Sequence, residues 1–497
     1  MGRVIMLAGL GYGDEGKGST VDYLVRQYNA KLVVRYNGGP QAAHHVVTSD
    51  GITHCFSQFG SGTLVPGVRT YLSRLMLVDP IALVTENRVL QDKGIRDALQ
   101  RLTVDPRCVV VTPFHQIVNR MREIARGEHR HGSTGRGVGE AMRDYEASGE
   151  RMLFAGDLAR KDVRKEKLDF IWRTKLDVAE QMAEEHVDMP EVQTQFRRYI
   201  GIDRDALDIT YDSIVTRMGL RIGDARVLTQ ALRDDTPVIF EGAQGVLLDP
   251  IYGFWPHVTK TRTTFENAHT LLADAGFTGE KTRIGVVRCY ATRHGAGPFV
   301  TEMPLFTHMA HLFDRRNGMR SPEQRFLVLD YGDVVAHGAN PTDETRHHWQ
   351  GDFRVGYFDA VATRYAIAVA GGIDALAVTN LDILSKDFGC PVCTAYKTSS
   401  AARHAMQAFV SANGNMPLPP TREQQIALCG AISKCKPVFE HLDVLPADKP
   451  RNAGTLHTEP DDMVAYARYL AGLVHSPLWL CSMGPTAKDK IEVKSPF

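Results

Sequence analysis

The fold of this chain is decided by the segment at residues 4–20, which reads VIMLAGLGYGDEGKGST. Residues 4–8 form an apolar run with the length and composition of a buried strand. After the glycines, Val21, Leu24 and Val25 recur at the spacing of an apolar helix face. The order strand, glycine loop and helix directs successive backbone N–H groups, and the positive end of the helix dipole, at one spot. The segment therefore predicts a phosphate-binding loop.

Two carboxylates and a lysine distinguish this loop from a simple phosphate-binding loop. Residues 11–17 fit the pattern G-x-x-x-x-G-K, but Gly18 follows at the position where such loops carry Ser or Thr. Asp14 and Glu15 add negative charge beside Lys17, where a site that only binds phosphate would avoid it. A carboxylate among phosphates needs a reason, which is either to hold Mg²⁺ or to take a proton.

A second glycine-rich strand end follows the first along the chain. Residues 31–36 read as a strand and run into NGGPQAAHH at residues 37–45. Two such ends about twenty residues apart in one α/β unit lie side by side at the C-terminal edge of a sheet, where ligands bind. We therefore expect His44 or His45 to face Asp14 across a phosphate, as an acid opposite a base.

Further apolar segments alternate with helical patterns along the rest of the chain. Strands are predicted at residues 72–78, 108–111, 238–241, 283–290, 375–380 and 478–482. Helices are predicted between them, for example at residues 177–185, 358–370 and 461–473. This alternation indicates an α/β fold with a mostly parallel central sheet that carries helices on both faces. A single large domain spanning residues 1–497 is the simplest organisation.

Three later segments have side chains that suit a nucleotide. The loop at residues 126–139 is basic, polar and glycine-rich, and its hydroxyl groups, its N–H groups and Arg136 suit a monophosphate. Gln244 ends a strand among glycines, where its amide can satisfy the edge of a 6-oxopurine. Asp382 follows another strand, and its carboxylate can accept from N1–H and from the 2-amino group of guanine.

These motifs, in their order, resemble those of the adenylosuccinate synthetase family. The family signature is GDEGKG, found at residues 13–18, followed by a GG-x-x-A-x-H loop, found at residues 38–44. The resemblance recurs at TGRG (134–137), EGAQG (241–245), TRHGAGPF (292–299), TNLD (379–382) and GP (484–485). It implies a GTP-dependent ligase of purine nucleotide biosynthesis that joins L-aspartate to a purine nucleoside monophosphate, by default IMP. It also implies Mg²⁺ as the cofactor.

The resemblance implies a role for each residue that matches a family motif. Asp14 would remove the N1 proton of the purine and ligate Mg²⁺ together with the backbone carbonyl of Ala43. Lys17 would neutralise the transferring phosphoryl group, and His44 would assist departure of the β-phosphate. Nucleotide and phosphate contacts are implied at Gly13, Glu15, Gly16, Gly18, Gln41, Thr134, Arg136, Gln244, Thr259, Asp382, Ser482 and Gly484. Phosphorylation of the 6-oxygen would create the leaving group that the amine then displaces.

The chain departs from the family pattern around residues 300–350, which form an atypical insertion. The family loop for the amino-acid substrate carries a run of arginines that clamp the carboxylates of L-aspartate, and in this chain Arg354 is the one that remains in register. Arginines between residues 315 and 325 could restore the clamp, or the amine donor could differ from aspartate. Lys260 and Arg262 add two positive charges beside the expected nucleotide phosphate.

Composition limits the partners and the location of the protein. Lys plus Arg equal Asp plus Glu at 58 each, so no net field attracts nucleic acid or an anionic membrane. The chain has no run of eighteen apolar residues and no signal peptide, and its eight scattered cysteines fit a reducing cytoplasm. We expect a cytoplasmic enzyme with small-molecule substrates that forms a homodimer. The family's intersubunit arginine is out of register, although Arg143 or Arg151 could replace it.

Two alternatives to IMP–aspartate ligation stay open. A paralogue with the same chemistry could use a different purine nucleotide, for example GMP or dGMP, or a different amine donor. A non-catalytic nucleotide-binding protein is the other alternative. Asp14, Lys17 and His44 argue against it, because a sensor has no need of a base opposite an acid.

Overall fold

The structure is a computed structural model, and it describes residues 2–303, 353–383, 391–398, 400, 419–441 and 460–496. The strands within these ranges are β1 (Val4–Gly9), β2 (Leu32–Arg35), β3 (His44–Val47), β4 (Thr53–Phe56), β5 (Arg69–Leu72), β6 (Leu102–Val104), β7 (Val238–Gly245), β8 (Lys281–Arg288), β9 (Ala291–His294), β10 (Phe353–Gly356), β11 (Ala375–Thr379), β12 (Pro391–Lys397), β13 (Lys436–His441), β14 (Leu478–Ser482) and β15 (Lys490–Glu492). The α-helices are α1 (Lys17–Gln27), α2 (Pro80–Asp92), α3 (Pro113–Ala125), α4 (Val138–Ser148), α5 (Lys161–Glu185), α6 (Pro190–Ile200), α7 (Arg204–Thr216), α8 (Arg226–Ala231), α9 (Glu266–Asp274), α10 (Ala360–Val369), α11 (Arg422–Ile432) and α12 (Pro460–Leu473). The expected insertion lies outside the described residues from position 304 onward.

A sheet of nine strands, counted over the described ranges, has the order β15-β14-β11-β8-β1-β7-β2-β5-β6. Every neighbouring pair is parallel except β14 with β15, which runs antiparallel at one edge. The prediction of a mostly parallel central sheet is confirmed. Because β7 lies between β1 and β2, the loops that follow these three strands meet at the C-terminal edge of the sheet.

Strand β1 buries side chains on both faces of the sheet. Ile5 and Leu7 pack on one side in a core that includes Leu24 of α1. Met6 and Ala8 belong to the core on the other side, which also contains residues of α9, α10 and α12. Successive side chains of a strand point to opposite faces, so an uninterrupted apolar run is what a strand buried on both sides requires.

Two of the predicted strands are wrong, and the predicted helices are confirmed with shifted bounds. In the segment at residues 72–78, β5 ends at the first residue, and only Val78 pairs further, in an isolated bridge with Val110. The segment at residues 108–111 likewise makes isolated bridges, and the edge strand is the preceding β6. Both segments are apolar because they lie in the core beside the helices from α2 to α7, and burial alone does not create a ladder. The helices predicted at residues 177–185, 358–370 and 461–473 fall on α5, α10 and α12.

Candidate active site

The glycine loop between β1 and α1 encloses a carboxylate of its own. The Oε1 atom of Glu15 accepts hydrogen bonds from the backbone N–H groups of Gly11 at 3.0 Å and Gly13 at 2.8 Å. Its Oε2 atom accepts from Lys17 Nζ at 2.5 Å, and both side chains are buried. Glu15 therefore stabilises the conformation of the loop by accepting from two of its backbone N–H groups. The first N–H groups of α1, which follow Gly16 at φ 86°, are the donors that a helix N-terminus offers to an anion.

Gly18 stands where phosphate loops carry a hydroxyl because β3 passes close to the first turn of α1. A Cβ on Gly18 would lie 2.8 Å from the carbonyl oxygen of His45 and 2.9 Å from the Cβ of His44. A real side chain would collide with this backbone, so the position requires glycine. The same close approach brings His44 beside the N-terminus of α1.

Asp14 lies at the tip of the glycine loop with φ 61°, a left-handed conformation that few non-glycine residues adopt. Its Oδ2 atom is 2.9 Å from Nε2 of His294, and its backbone carbonyl accepts a hydrogen bond from Arg288. Burial acts to raise the pKa of Asp14, but the His294 hydrogen bond and the charges of Arg288 and Lys17 outweigh burial and hold that pKa below its ordinary value. The carboxylate is therefore ionised at neutral pH.

His44 contacts a different carboxylate from Asp14. Its Nδ1 atom lies 2.5 Å from Oε1 of Glu241 in β7, and both side chains are buried. Glu241 also accepts from the backbone N–H of Ser61 at 2.9 Å and from the Ser61 hydroxyl. Burial lowers the pKa of His44, although Glu241 acts to raise it. The ring of His44 is thus oriented by Glu241, and the ring in contact with Asp14 is that of His294.

Two glutamine side chains converge on Gly38 and Gly39 in the loop after β2. A Cβ on Gly38 would lie 3.2 Å from Oε1 of Gln244, and a Cβ on Gly39 would lie 2.9 Å from Oε1 of Gln41. Both amide oxygens are buried, and neither has a hydrogen-bond partner within the described residues. A buried polar atom without a partner costs about 1–3 kcal/mol. These oxygens are therefore suited to accept from a bound polar ligand.

The loop that contains Thr134 and Arg136 is held by α3. The Nδ2 atom of Asn119 donates to the hydroxyl oxygen of Ser133 at 2.9 Å, and its Oδ1 atom accepts from the N–H of Gly137 at 3.1 Å. Thr134 and Arg136 lie between these two contacts and are partly exposed. One buried amide thus fixes both ends of the segment that the sequence predicts to bind a monophosphate.

Comparison with known proteins identifies the family of this chain. The sequence profile described as adenylosuccinate synthetase matches residues 6–491. The adenylosuccinate synthetase of Hahella chejuensis is 30% identical over 502 residues and aligns over 100% of both chains. That of Acaryochloris marina is 30% identical and aligns over 99% of this chain and 95% of its own length. The chain belongs to the adenylosuccinate synthetase family.

Solved structures share the fold of this family member. The fully ligated adenylosuccinate synthetase of Plasmodium falciparum superposes with a TM-score of 0.69 at 20% identity and covers 99% of this chain and 100% of its own. The succinoaminodeoxyadenylate synthetase of cyanophage S-2L, bound to dGMP and to dATP as an energy donor, superposes with a TM-score of 0.52 at 16% identity. That alignment covers 100% of this chain and 97% of the other. At these identities the likeness establishes the fold.

Membership in the adenylosuccinate synthetase family gives the protein its class of activity. It is a GTP-dependent ligase that forms a carbon–nitrogen bond in purine nucleotide biosynthesis, and its substrates are small molecules. The predictions of family, fold and enzyme class are confirmed. In the part of the chain that the structure describes, no helix combines the length and the apolarity needed to span a membrane.

Both positive charges that the sequence places beside the expected phosphate have acidic neighbours in this synthetase. Arg262 donates to Oδ2 of Asp249 at 3.2 Å and lies 2.5 Å from Oε2 of Glu266. The ammonium of Lys260 is 3.8 Å from Oε2 of Glu146. The expected extra positive charge is therefore largely balanced within the chain.

The remaining predicted residues of the nucleotide site lie in loops at the same edge of the sheet. Ala43 is exposed immediately before β3. Thr259 is partly exposed, and its backbone N–H donates to the carbonyl of Leu248 at 2.8 Å, which ties it to the turn after β7.

Ser482 and Gly484 surround a buried lysine on the edge strand β15. The ammonium of Lys490 donates to the hydroxyl of Ser482 at 3.1 Å and to the carbonyls of Gly484 at 3.4 Å and Thr486 at 3.0 Å. Burial lowers the pKa of Lys490 to about 8, although nearby carboxylates, that of Asp382 among them, act to raise it. Asp382 is exposed on the turn that follows β11. Residues from two neighbouring strand ends thus share one cluster.

Arg354, the predicted contact for the amino-acid substrate, is engaged within the chain. Its Nε and Nη2 atoms donate to the carboxylate of Glu302, with Nε at 2.9 Å from Oε1. Its Nη1 atom donates to the carbonyls of Gly295 at 3.0 Å and Gly297 at 2.9 Å. A substrate carboxylate would have to replace Glu302 to reach this guanidinium. The arginines between residues 315 and 325 lie outside the described residues.

The residues expected to hold Mg²⁺ fit that ion. Asp14 offers an ionised carboxylate, and Ala43 offers a carbonyl at an exposed loop position. Mg²⁺ prefers hard oxygen ligands and usually takes one or two carboxylates, with waters and substrate phosphates completing its shell. Within the described residues, no group of three or more His, Cys, Asp or Glu side chains could hold a metal.

Four residues that support the predicted ones were not predicted from the sequence. His294 contacts Asp14, Glu241 contacts His44, Lys490 contacts Ser482, and Glu302 contacts Arg354. His294 and Glu241 belong to motifs that carry the family resemblance, and that was the available signal. Lys490 and Glu302 belong to no motif, and only their contacts reveal them.

Proposed function

We propose that the protein condenses L-aspartate with IMP to form adenylosuccinate, with GTP as the phosphoryl donor. The observation that carries this proposal is the ionised carboxylate of Asp14 at the tip of the glycine loop. The neighbouring Gly13 borders Gln244, since a Cβ on Gly13 would lie 3.9 Å from the Cα of that glutamine. The loop tip that carries the proton acceptor therefore borders the backbone of Gln244, whose buried amide oxygen lacks a partner within the described residues. This pairing suits a purine with an N1 proton and a polar edge.

In this mechanism Asp14 takes the N1 proton of IMP, and the negative charge that results moves to the 6-oxygen. This oxygen attacks the γ-phosphorus of GTP, the bond to the β–γ bridging oxygen breaks, and GDP leaves. The first N–H groups of α1 stabilise the charge on the transferring group, and the ammonium of Lys17 joins them when it leaves the Glu15 carboxylate that it contacts in the structure. His44 donates from Nε2 to the departing β-phosphate as the imidazolium, a form that the charge of Glu241 at Nδ1 favours. The neutral amine nitrogen of aspartate then attacks C6, the C6–O bond breaks so that the 6-oxygen leaves with phosphate, and the nitrogen releases one proton.

Asp14 and the carbonyl of Ala43 would hold Mg²⁺, which supplies charge neutralisation on the triphosphate when it is bound. The glycine loop would hold the Asp14 carboxylate at the entrance of the site. Glu15 fixes the geometry of this loop from inside through Gly11 and Gly13, so it would act on the loop and not on the ion.

A phosphate-release assay tests the function directly. IMP, GMP and their deoxy forms are each combined with L-aspartate or another amino acid, and with GTP or ATP as the donor. We expect phosphate release that requires IMP, L-aspartate and GTP together, and a product with the mass of adenylosuccinate. Release without an amine, or no release with any combination, would contradict ligation.

A second candidate is the same chemistry on another purine nucleotide, such as GMP or dGMP, or with another amine donor. Two observations favour it. Arg354 is occupied by Glu302, and the fold is shared with a phage enzyme that is bound to dGMP and dATP. In the same assay, saturation by dGMP or GMP but not by IMP would select this candidate. An absence of any aspartate-dependent phosphate release would rule out aspartate as the donor.

We further propose that the protein is a single-domain subunit of a cytoplasmic homodimer. In the isolated chain Arg143 lies 2.5 Å from Glu140, and Arg151 packs over the ring of Phe170 at 3.8 Å. Both side chains are exposed, that of Arg143 to 44%, so either can reach a partner's nucleotide. Light scattering during size-exclusion chromatography should give twice the chain mass, and a monomer at assay concentration would contradict the dimer.

A further inference from the structure

His294 is the residue that joins Asp14 to a separate element of the fold. It ends β9, which pairs with β10 in a two-stranded sheet outside the central one. Its ring lies against Phe353, its cross-strand neighbour, with 5.0 Å between ring centroids. The His294 side chain is 12% exposed and that of Asp14 is 25% exposed, so their 2.9 Å contact lies at the wall of the site.

Asp14 is constrained from two sides. Arg288, the last residue of β8, donates to the backbone carbonyl of Asp14 and holds the left-handed turn at the loop tip. His294 donates to Oδ2 and holds the side chain. Within the described residues, the hydrogen bond from His294 engages Oδ2, which is one of the two oxygens of the Asp14 carboxylate. The other oxygen, Oδ1, is left to meet a ligand.

We propose that His294 is a positioning residue for Asp14, fixing the carboxylate so that Oδ1 faces N1 of the purine. The inference rests on the proposed function, in which Asp14 takes the N1 proton. A carboxylate at the tip of a loop can rotate about two bonds, and each rotation moves the basic oxygen away from the proton. A misplacement of about 1 Å can cost on the order of a hundredfold in rate. The ring of His294, packed against Phe353, restrains both rotations.

This arrangement links Asp14 to the element that carries Arg354, the residue predicted to contact the amino-acid substrate. The two-stranded sheet of β9 and β10 also carries Arg354, which closes the loop at residues 295–302 through Glu302. His294 lies at the start of that loop. The orientation of Asp14 therefore depends on this two-stranded sheet being in place, and its displacement would leave the base free to rotate.

Two substitutions separate the hydrogen bond from the packing of the ring. His294→Phe keeps the aromatic contact with Phe353 and removes the donor. His294→Gln returns an N–H donor near the position of Nε2. We expect His294→Phe to lower kcat by roughly 10–100-fold, with KM for the nucleotide and for GTP changed by less than about threefold, and His294→Gln to recover most of kcat. His269→Phe, on α9, is the matched control and should keep wild-type kinetics.

A double-mutant cycle with Asp14→Asn shows whether His294 acts through Asp14. If it does, the double variant Asp14→Asn with His294→Phe is no slower than Asp14→Asn alone. Additive losses, or a His294→Phe enzyme with wild-type kcat, would overturn the proposal. Failure of the proposed function is recognised separately, because the wild-type protein would then release no phosphate.

A crystal structure of the His294→Phe variant provides a readout that does not depend on turnover. We expect the Asp14 carboxylate to leave its wild-type orientation or to become disordered, while the glycine loop held by Glu15 keeps its path. An Asp14 carboxylate in the wild-type orientation would overturn the inference even if the enzyme has a different substrate.

Discussion

Adjacent carboxylates in the glycine loop have different tasks, and the difference arises from backbone conformation. Asp14 adopts φ 61° and meets His294 at the wall of the site, whereas Glu15 points into the loop and accepts from Gly11 and Gly13. Both carboxylate oxygens of Glu15 accept hydrogen bonds within the loop, one from backbone N–H groups and the other from Lys17, so this carboxylate supports the loop and not a ligand. Sequence alone shows two acidic residues side by side, and only their surroundings distinguish them.

Neighbouring histidines differ in the same way. We expect His44→Ala to lower kcat by about a hundredfold, with a much smaller effect on nucleotide affinity, because His44 is the ring that Glu241 orients beside α1. His45→Ala should be the milder change. Steady-state kinetics give kcat, and calorimetric titration with the nucleotide gives the affinity. Larger losses in His45→Ala than in His44→Ala would mean that the loop at residues 38–45 has been assigned in the wrong register.

At the scale of elements, α3 shapes the loop expected to bind the monophosphate. Besides Asn119, Glu123 accepts from the N–H of Gly132 at 3.1 Å, and Arg120 donates to the carbonyl of Gly135 at 3.2 Å. Three residues on one helix thus hold the backbone of a loop that contains several glycines and would otherwise be free to move.

Asn119→Ala should weaken binding of the nucleoside monophosphate. The substitution removes the bridge between Ser133 and Gly137, so the loop must be ordered when the ligand binds. We expect Kd to rise by roughly tenfold, about 1.4 kcal/mol, with KM for GTP nearly unchanged. Gln181→Ala, at an exposed position on α5, is the control. Equal weakening of monophosphate and GTP binding would indicate a general loss of structure instead.

The contact between α3, α4 and α5 is a buried ionic cluster. Glu140 of α4 accepts from Lys175 of α5 at 3.1 Å and lies 2.9 Å from Arg122 of α3. Burial acts to raise the pKa of Glu140, but Lys175 and Arg122 outweigh it and lower that pKa from 4.5 to about 2. The folded form therefore holds the proton less strongly than the unfolded form does. Stability from this group is present above about pH 4.5 and is lost as the pH falls toward 2.

Chemical denaturation at a series of pH values tests this cluster. The wild-type free energy of unfolding should fall between pH 4.5 and 2, with a contribution from Glu140 on the order of 3 kcal/mol. Glu140→Gln should be less stable at neutral pH, because Lys175 and Arg122 lose a partner, and should show a shallower acid loss. Glu184→Gln, exposed on α5, should follow the wild type. An unchanged acid slope in Glu140→Gln would contradict the assignment.

At the scale of the whole molecule, the expected guanine site is assembled from two strands that are far apart in sequence. Asp382 follows β11, Ser482 ends β14, and the two strands are parallel neighbours in the sheet. Lys490 returns from the edge strand to hold the loop after Ser482 through three hydrogen bonds. Recognition at this end therefore depends on the sheet order and not on any local motif.

Asp382→Asn should relax the choice of phosphoryl donor. The carboxylate can accept from both N–H donors of guanine, whereas an amide has only one acceptor atom. We expect the preference for GTP over ATP, measured as the ratio of kcat/KM values, to fall by at least about tenfold. Asp235→Asn, an exposed control, should leave the ratio unchanged. A wild-type enzyme that already prefers ATP would show that Asp382 does not read guanine in this chain.

The sequence by itself determined the fold class, the family and the position of the glycine loop. The fold class and the glycine loop are encoded locally, since an apolar run, a string of glycines and a helical repeat occupy consecutive residues. The family is recognised from motifs that keep their order along the chain. The strands predicted at residues 72–78 and 108–111 were wrong because an apolar run indicates burial and does not show that the segment pairs with another strand. The site residues Asp14, His44 and Gln244 could be proposed because each follows or lies within a strand whose end has a recognisable motif.

Only the tertiary structure decided which side chains touch. Asp14 meets His294 at a separation of 280 residues, and His44 meets Glu241 at a separation of 197. The physical reason is the order of the strands. The sheet places β8, β1, β7 and β2 side by side although they are not consecutive in the chain, so neighbouring strand ends bring distant residues together. Separation along the sequence does not give the distance between two residues in space. The partners of a catalytic base or acid follow from that distance in space.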